Sequence, residues 1–108
     1  MTRAGKRRPA KNAAPAAPAP LRLEGELSIY RAEEIRQALL AALAADGDVG
    51  IDLTDVSEVD TAGVQLLLAA RASAATAGKT LRVTAMSPAV EEVLALFDLA
   101  PVFEATPA

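Results

Sequence analysis

The sequence VGIDLTDVSEVDTAGVQLLLAA, Val49 to Ala70, contains a change of pattern that indicates the fold class. Its first half alternates between apolar and polar residues, which predicts a strand with one buried and one solvated face. Val49, Ile51 and Leu53 form the apolar set, and Asp52 and Thr54 the polar set. The second half has helical spacing and predicts that Val64, Leu67 and Leu68 point inward. A strand that leads directly into a helix is typical of a parallel sheet.

Two similar units flank this stretch. LRLEGEL, residues 21–27, precedes a helical segment with Ile35, Leu39 and Leu43 on one stripe and Leu40 beside it. TLRVTAM, residues 80–86, predicts a third strand with Leu81, Val83 and Ala85 on one face. The third helix begins with Ser87 as its N-cap and Pro88 at its first position, and carries Val90, Val93, Leu94 and Phe97 on its inner face. Val102 and Phe103 predict a brief last strand.

The clean alternation of the strands narrows the fold within the α/β class. A parallel sheet with helices on both faces has strands that are apolar throughout, whereas these strands are apolar on one face only. We therefore predict a one-sided βα superhelix: a mainly parallel sheet of roughly four strands with its helices on one face. A doubly wound sheet of the flavodoxin type is the alternative.

The charges divide the chain in two. Residues 1–20 carry Arg3, Lys6, Arg7, Arg8 and Lys11 without an acid, a charge of +5, whereas residues 21–108 carry −8. The first segment is rich in Ala and Pro and lacks large apolar side chains, so we expect a disordered tail before one domain over 21–108. Short basic tails can contact nucleic acid or anionic lipid, but solvation is the simpler interpretation, and no nucleic-acid partner is expected. No stretch suits a secretory signal or membrane insertion.

The composition excludes several kinds of chemistry. The chain has neither Cys nor His, so disulfides, thiolate or imidazole catalysis and the usual zinc sites are excluded. A Thr nucleophile would need an activating base, and only solvated carboxylates lie near it in the sequence. We expect a cytoplasmic protein that is not an enzyme and has no cofactor.

The step Asp60-Thr61-Ala62-Gly63 is the candidate functional site. It lies beyond the carboxyl end of a strand, where open α/β sheets place their sites. Asp60 or Thr61 could simply cap the helix, or the hydroxyl of Thr61 could be modified. Gly63 could let a partner approach closely, or could pack the helix tightly against its own strand. Nearby acids, with Asp55 and Glu58 on a predicted loop, suggest Mg²⁺ ligands, but a solvated acidic rim is favoured and no metal site is predicted.

Four motifs in order resemble a known family. They are GEL after the first strand, DLT in the second strand, DTAG at the turn and SP at the start of the third helix. Together they make Leu21 to Phe103 similar to the STAS domain of bacterial anti-sigma factor antagonists. That domain is a one-sided βα superhelix, and many members are non-enzymatic switches. The usual extra N-terminal strand of the family is replaced here by the tail.

The resemblance implies a role for the turn. In the antagonists the hydroxyl after the Asp is phosphorylated by an anti-sigma factor that is a serine/threonine kinase of the histidine-kinase-like type, and phosphorylation ends the association. By position, the phosphorylation site is Thr61. The predicted partner-binding residues are Asp55, Glu58, Asp60, Thr61, Gly63 and Val64. The predicted phosphate acceptor is Thr, whereas sporulation-type antagonists have Ser at this position. The DTAG sequence is more similar to that of chemotaxis-linked STAS proteins and of STAS subunits of lipid-transport ABC complexes. The alternative partner is therefore an ABC transporter ATPase.

Overall fold

The structure is a computed structural model, and it describes residues 19–103. Most of the predicted tail, residues 1–18, and the last five residues lie outside the described part. Among residues 19–103 the strands are β1 (Leu21–Leu27), β2 (Val49–Val59) and β3 (Leu81–Met86). The helices are α1 (Ala32–Ala44), α2 (Thr61–Thr76), α3 (Pro88–Leu96) and the short α4 (Ala100–Phe103), and a 3-10 turn spans Ile29–Arg31.

The three strands form one parallel sheet in the order β1-β2-β3. One face is buried under the helices, and its centre is formed by Ile51, Leu53 and Val83, each 0% exposed. The other face carries exposed or half-buried side chains, such as Arg22, Thr54 and Arg82. The predicted one-sided α/β architecture is therefore confirmed, and the doubly wound alternative is wrong.

The described part has three strands where roughly four were predicted. Val102 and Phe103, predicted as a last strand, belong to α4, so that prediction was wrong. Pro101 has no N–H to donate to a neighbouring strand, but the first turn of a helix does not need that donor. The turn places Phe103 in the core at 2% exposure.

β2 is longer than predicted. Residues 55–59, predicted as a loop, continue the strand, and their pairing with β1 shifts twice, each time leaving one extra residue on β2. The shifts fall between Arg22 and Glu24 and between Gly25 and Glu26 of β1. Such bulges change the spacing of the inward residues from two to three, which is the spacing of Leu53, Val56 and Val59. The sequence pattern looked like a loop because the alternation was interrupted twice.

A third register shift, between β2 and β3, exchanges the two faces at the end of β3. Ile51 pairs with Val83, whereas the next residue, Asp52, pairs with Ala85, so β3 carries one extra residue. As a result Ala85 is exposed and Met86 is half-buried against the core, the reverse of the predicted faces.

Most of the apolar residues predicted on the inner faces of the helices are buried or half-buried. Val64, Leu67, Val90 and Leu94 are buried as predicted, and Ser87 caps α3 by accepting a hydrogen bond from the N–H of Val90 at 3.2 Å. Phe97 is 50% exposed, so its predicted place on the inner face was wrong. It follows the last residue of α3, where the chain turns through Asp98 with φ 57°, and the turn carries it out of the stripe.

Lys79 connects two βα units at the opposite end of the sheet from the DTAG step. Its Nζ donates to the carbonyl of Leu43 at 2.6 Å and also to the carbonyl of Ala45, the C-cap residue that follows α1. The last turn of α1 contains no basic residue. A lysine that follows α2 therefore satisfies carbonyls that the end of α1 leaves free.

Candidate interaction site at the start of the second helix

Asp60 connects three segments of the chain. It lies between β2 and α2, and its Oδ1 accepts from the N–H of Gly63 at 2.9 Å, which caps the helix. Its Oδ2 accepts from the N–H of Ile29 at 3.0 Å, and its own N–H donates to the carbonyl of Leu27 at 3.0 Å. The start of α2 is thereby fixed to the end of β1 and to the 3-10 turn.

These hydrogen bonds favour the ionised carboxylate. The N–H of Gly63, followed by the N–H of Ile29, holds the pKa of Asp60 below its ordinary value. Asp60 is therefore charged at neutral pH. Of the two capping candidates, Asp60 is the N-cap, and Thr61 is the first residue of the helix.

The side chain of Thr61 has no hydrogen-bond partner among residues 19–103. The residue is exposed, and its hydroxyl makes no hydrogen bond to another residue within 19–103. At the first helical position it lies beside backbone N–H groups that the helix itself does not use. The hydroxyl has no structural task in the described part of the chain.

Gly63 is required by packing inside the chain. A Cβ at this position would lie 2.3 Å from the carbonyl oxygen of Leu27 and 2.8 Å from its Cβ. The alternative of tight packing against the chain's own strand is therefore the one observed. Gly63 and Val64 are both buried, Val64 at 4% exposure, so they lie beneath the surface of the site, and partner binding by these two residues stays a prediction.

The structure separates the two remaining predicted acids. Glu58 is exposed near the end of β2, two residues before Asp60. Asp55 lies about 16 Å farther back along the strand from Asp60, at roughly 3.3 Å per residue. Its carboxylate forms an ion pair with Arg22. Glu58, Asp60 and Thr61 are thus brought together, whereas Asp55 lies apart from them.

Sequence reasoning missed Ile29 and Tyr30. They are 62% and 90% exposed in the 3-10 turn that contacts α2 and that the carboxylate of Asp60 holds in place. Ser28 caps the turn by accepting from the N–H of Tyr30 at 3.3 Å. The available signal was two large apolar residues that follow Leu27 and fall outside the stripe of α1. We call Ile29, Tyr30, Glu58, Asp60 and Thr61 the Thr61 edge.

Arg31 fixes the other end of the same turn. Its Nη1 donates to the carbonyls of Glu24 at 2.5 Å and Glu26 at 2.8 Å, and its Nη2 forms an ion pair with Glu34 at 3.1 Å. The hydrogen bond to Glu34 raises the pKa of Arg31 and lowers that of Glu34. The exposed apolar side chains are therefore presented on a turn that is held at both ends.

Within residues 19–103 no three acidic side chains are grouped so that they could hold a metal ion. None of the helices in the same range combines the length and the apolar character needed to cross a membrane.

Comparison with known families matches residues 11–104 to the family model described as "Mlab, STAS domain". The match includes all the strands and helices described above and the whole Thr61 edge. A comparison with curated proteins gave no match.

Proposed function

The chain belongs to the STAS domain family and is a STAS-type interaction module, and we propose that phosphorylation of Thr61 switches its association with a partner in the cytoplasm. The proposed partner is an anti-sigma factor with kinase activity of the histidine-kinase-like type, or its counterpart in a chemotaxis-linked system. The protein itself is proposed to have no enzymatic activity.

One observation carries the proposal. Thr61 is exposed, its hydroxyl makes no hydrogen bond to described residues, and it begins the helix that contacts the 3-10 turn carrying the exposed Ile29 and Tyr30. A kinase needs such an accessible hydroxyl, and a partner surface needs apolar side chains that can be buried on binding. The Thr61 edge combines both features.

The charges indicate the direction of the switch. A phosphoryl group would add about −1.5 to −2 at neutral pH. The helix end attracts this charge with an effective charge of only about +0.5. Asp60 already has its carboxylate on the N–H of Gly63, and it opposes the phosphate with a full negative charge that its lowered pKa maintains. Glu58 adds a second negative charge nearby. We therefore propose that the phosphate remains undocked and weakens binding of the partner.

Phosphorylation can be tested by intact mass. The full chain is incubated with ATP and the candidate kinases of its native host, next to Thr61→Ala and a matched control, Thr76→Ala, at the exposed end of the same helix. We expect one phosphate on the wild type and on the control, and none on Thr61→Ala. Binding of the partner, measured by calorimetry, should weaken after phosphorylation. Phosphate on Thr61→Ala, or unchanged affinity, would refute the proposal.

A second candidate function is binding to the ATPase of a lipid-transport ABC complex without phosphorylation. It is favoured by the exposure of Tyr30, at 90%, because an aromatic contact needs no phosphate. In pull-downs from native extract, this function predicts that an ABC ATPase is recovered, that Tyr30→Ser loses it and that Thr61→Ala retains it. Leu96→Ser, at a second exposed apolar residue on α3, is the matched control and should bind normally. Recovery of a histidine-kinase-like ATPase would favour the first candidate instead.

A further inference from the structure

The face of the sheet that carries no helix has an excess of acids. Its strands place five carboxylates there, and only two basic side chains accompany them. The acids are Glu24, Glu26, Asp52, Asp55 and Glu58, and the bases are Arg22 and Arg82. We call these five carboxylates the acidic face. Within residues 19–103 nothing covers them.

Like charges are paired across two neighbouring strands of this face. Glu24 lies opposite Asp55, and Glu26 lies opposite Glu58. Like charges directly opposite each other destabilise a sheet. Arg22 neutralises Asp55. Glu24, Glu26 and Glu58 form no ion pair with any residue in the described part, and of these three Glu24 and Glu26 lie near the guanidinium of Arg31. Glu26 opposite Glu58 is therefore the pair of like charges in which neither member has an ion-pair partner in the described part, and it suggests that a cationic group belongs on this face.

The N-terminal segment enters the domain on the same face. Gly50 has its partner Arg82 on β3, and a Cβ on Gly50 would meet Thr84 Cγ2 at 3.2 Å and Pro20 Cβ at 3.5 Å. Arg82 and Thr84 are exposed side chains of the uncovered face. Pro20 directly precedes β1, where Leu21 pairs with Ile51, so it lies beside Gly50 in the same register, on the solvated side of the sheet.

We propose that residues 1–18 of this chain dock across the acidic face. This segment holds the cations Arg3, Lys6, Arg7, Arg8 and Lys11 and no acid. From Ala19 back to Lys11, an extended Ala/Pro segment spans about 25 Å at roughly 3.1 Å per residue. β1 extends over about 20 Å at roughly 3.3 Å per residue. Lys11 can therefore reach Glu26 and Glu58 at the far end of the sheet, and the earlier cations can reach the face if the chain before Lys11 folds back.

Charge, chain length and the position of Pro20 favour the N-terminal segment as the group that covers the acidic face. Five cations would meet a face with three glutamates that form no ion pair in the described part, and they belong to the segment that leads to Pro20 beside Gly50. A tethered segment also has a high effective concentration at its own domain, so it needs little intrinsic affinity to dock. This inference does not depend on phosphorylation of Thr61.

The test uses paramagnetic relaxation in the full chain. The protein contains no Cys, so Thr2→Cys or Ala10→Cys provides a single site for a nitroxide label. We expect the label to broaden the amide signals of residues 22–26 and 52–58 in low salt and to leave α3 sharp. In about 1 M salt, where the screening length is about 3 Å, the broadening should disappear.

A charge-matched pair of variants makes the result specific. Replacing Glu24, Glu26 and Glu58 by Gln should abolish the broadening, whereas replacing Glu33, Glu91 and Glu92 by Gln, the same loss of charge on the helices, should retain it. Labelled chains mixed with isotopically enriched, unlabelled chains should show no broadening, because the contact is intramolecular. Uniform broadening, none at all, an equal effect of both triple variants, or transfer of the effect between chains would each overturn the proposal.

Discussion

Gly63→Ala is the sharpest test of how the site is built. The new Cβ would lie 2.3 Å from the carbonyl oxygen of Leu27, whereas ordinary contacts begin at 3.4 Å, so α2 and β1 must separate by about 1 Å. Overpacking of this kind costs about 1–3 kcal/mol. The backbone hydrogen bond that the same carbonyl accepts at the helix start is worth about 0.5–1.5 kcal/mol and would be stretched. Against this, Ala gains about 1 kcal/mol of helix propensity over Gly.

The expected net loss is about 2 kcal/mol, or a fall in Tm on the order of 10 °C for a domain of this size. Urea titration and thermal unfolding followed by circular dichroism would measure both quantities. Ala69→Gly, at an exposed position of the same helix, is the control for propensity and should cost about 1 kcal/mol. A Gly63→Ala protein as stable as the wild type, or more stable, would refute the packing argument, because propensity alone would then decide the outcome.

Three other outcomes test the fold and the Thr61 edge. Phe103→Ala should lower the free energy of unfolding by about 3–5 kcal/mol in urea titrations, because Phe103 is 2% exposed. Phe97→Ala should lower it much less, because Phe97 is 50% exposed. Equal losses for the two variants would contradict the assignment of α4. The pKa of Asp60 lies below its ordinary value of 3.8, so the stability it contributes is present above that pH and is lost as the pH falls through the lower, folded-state pKa. Thermal scans should therefore show the gap between wild type and Asp60→Asn shrinking below pH 3.8, and a constant gap would contradict this role. Thr61→Ala should change stability by less than about 0.5 kcal/mol by urea titration, and a larger loss would mean that the hydroxyl is structural.

The fold class could be predicted because alternation survives wherever strands pair in regular register. Ile51 and Leu53 are adjacent inward positions of β2, and their spacing of two identified the strand. The prediction failed where the register shifts. Bulges depend on how two strands fit together, so the spacing of three between Leu53, Val56 and Val59 has no unique meaning in one strand alone.

The site was predicted in part. The position of Thr61 at the start of a helix follows from local sequence, and so does a capping role for the neighbouring Asp60. The link from Asp60 to Ile29 joins residues 31 positions apart, so no local pattern could show it. The burial of Gly63 also depends on a distant residue, Leu27, and could be proposed from sequence only as one of two alternatives.

The ammonium group of Lys79 links the end of α1 to the turn before β3, two stretches that are distant in the sequence. Because it bonds the carbonyls of Leu43 and Ala45, the final turn of α1 cannot fray without releasing the turn that leads into β3. The most slowly exchanging amides of both stretches should then become exposed to solvent in one local unfolding step. Acylation of the Lys79 amine would lower the local stability of both stretches together.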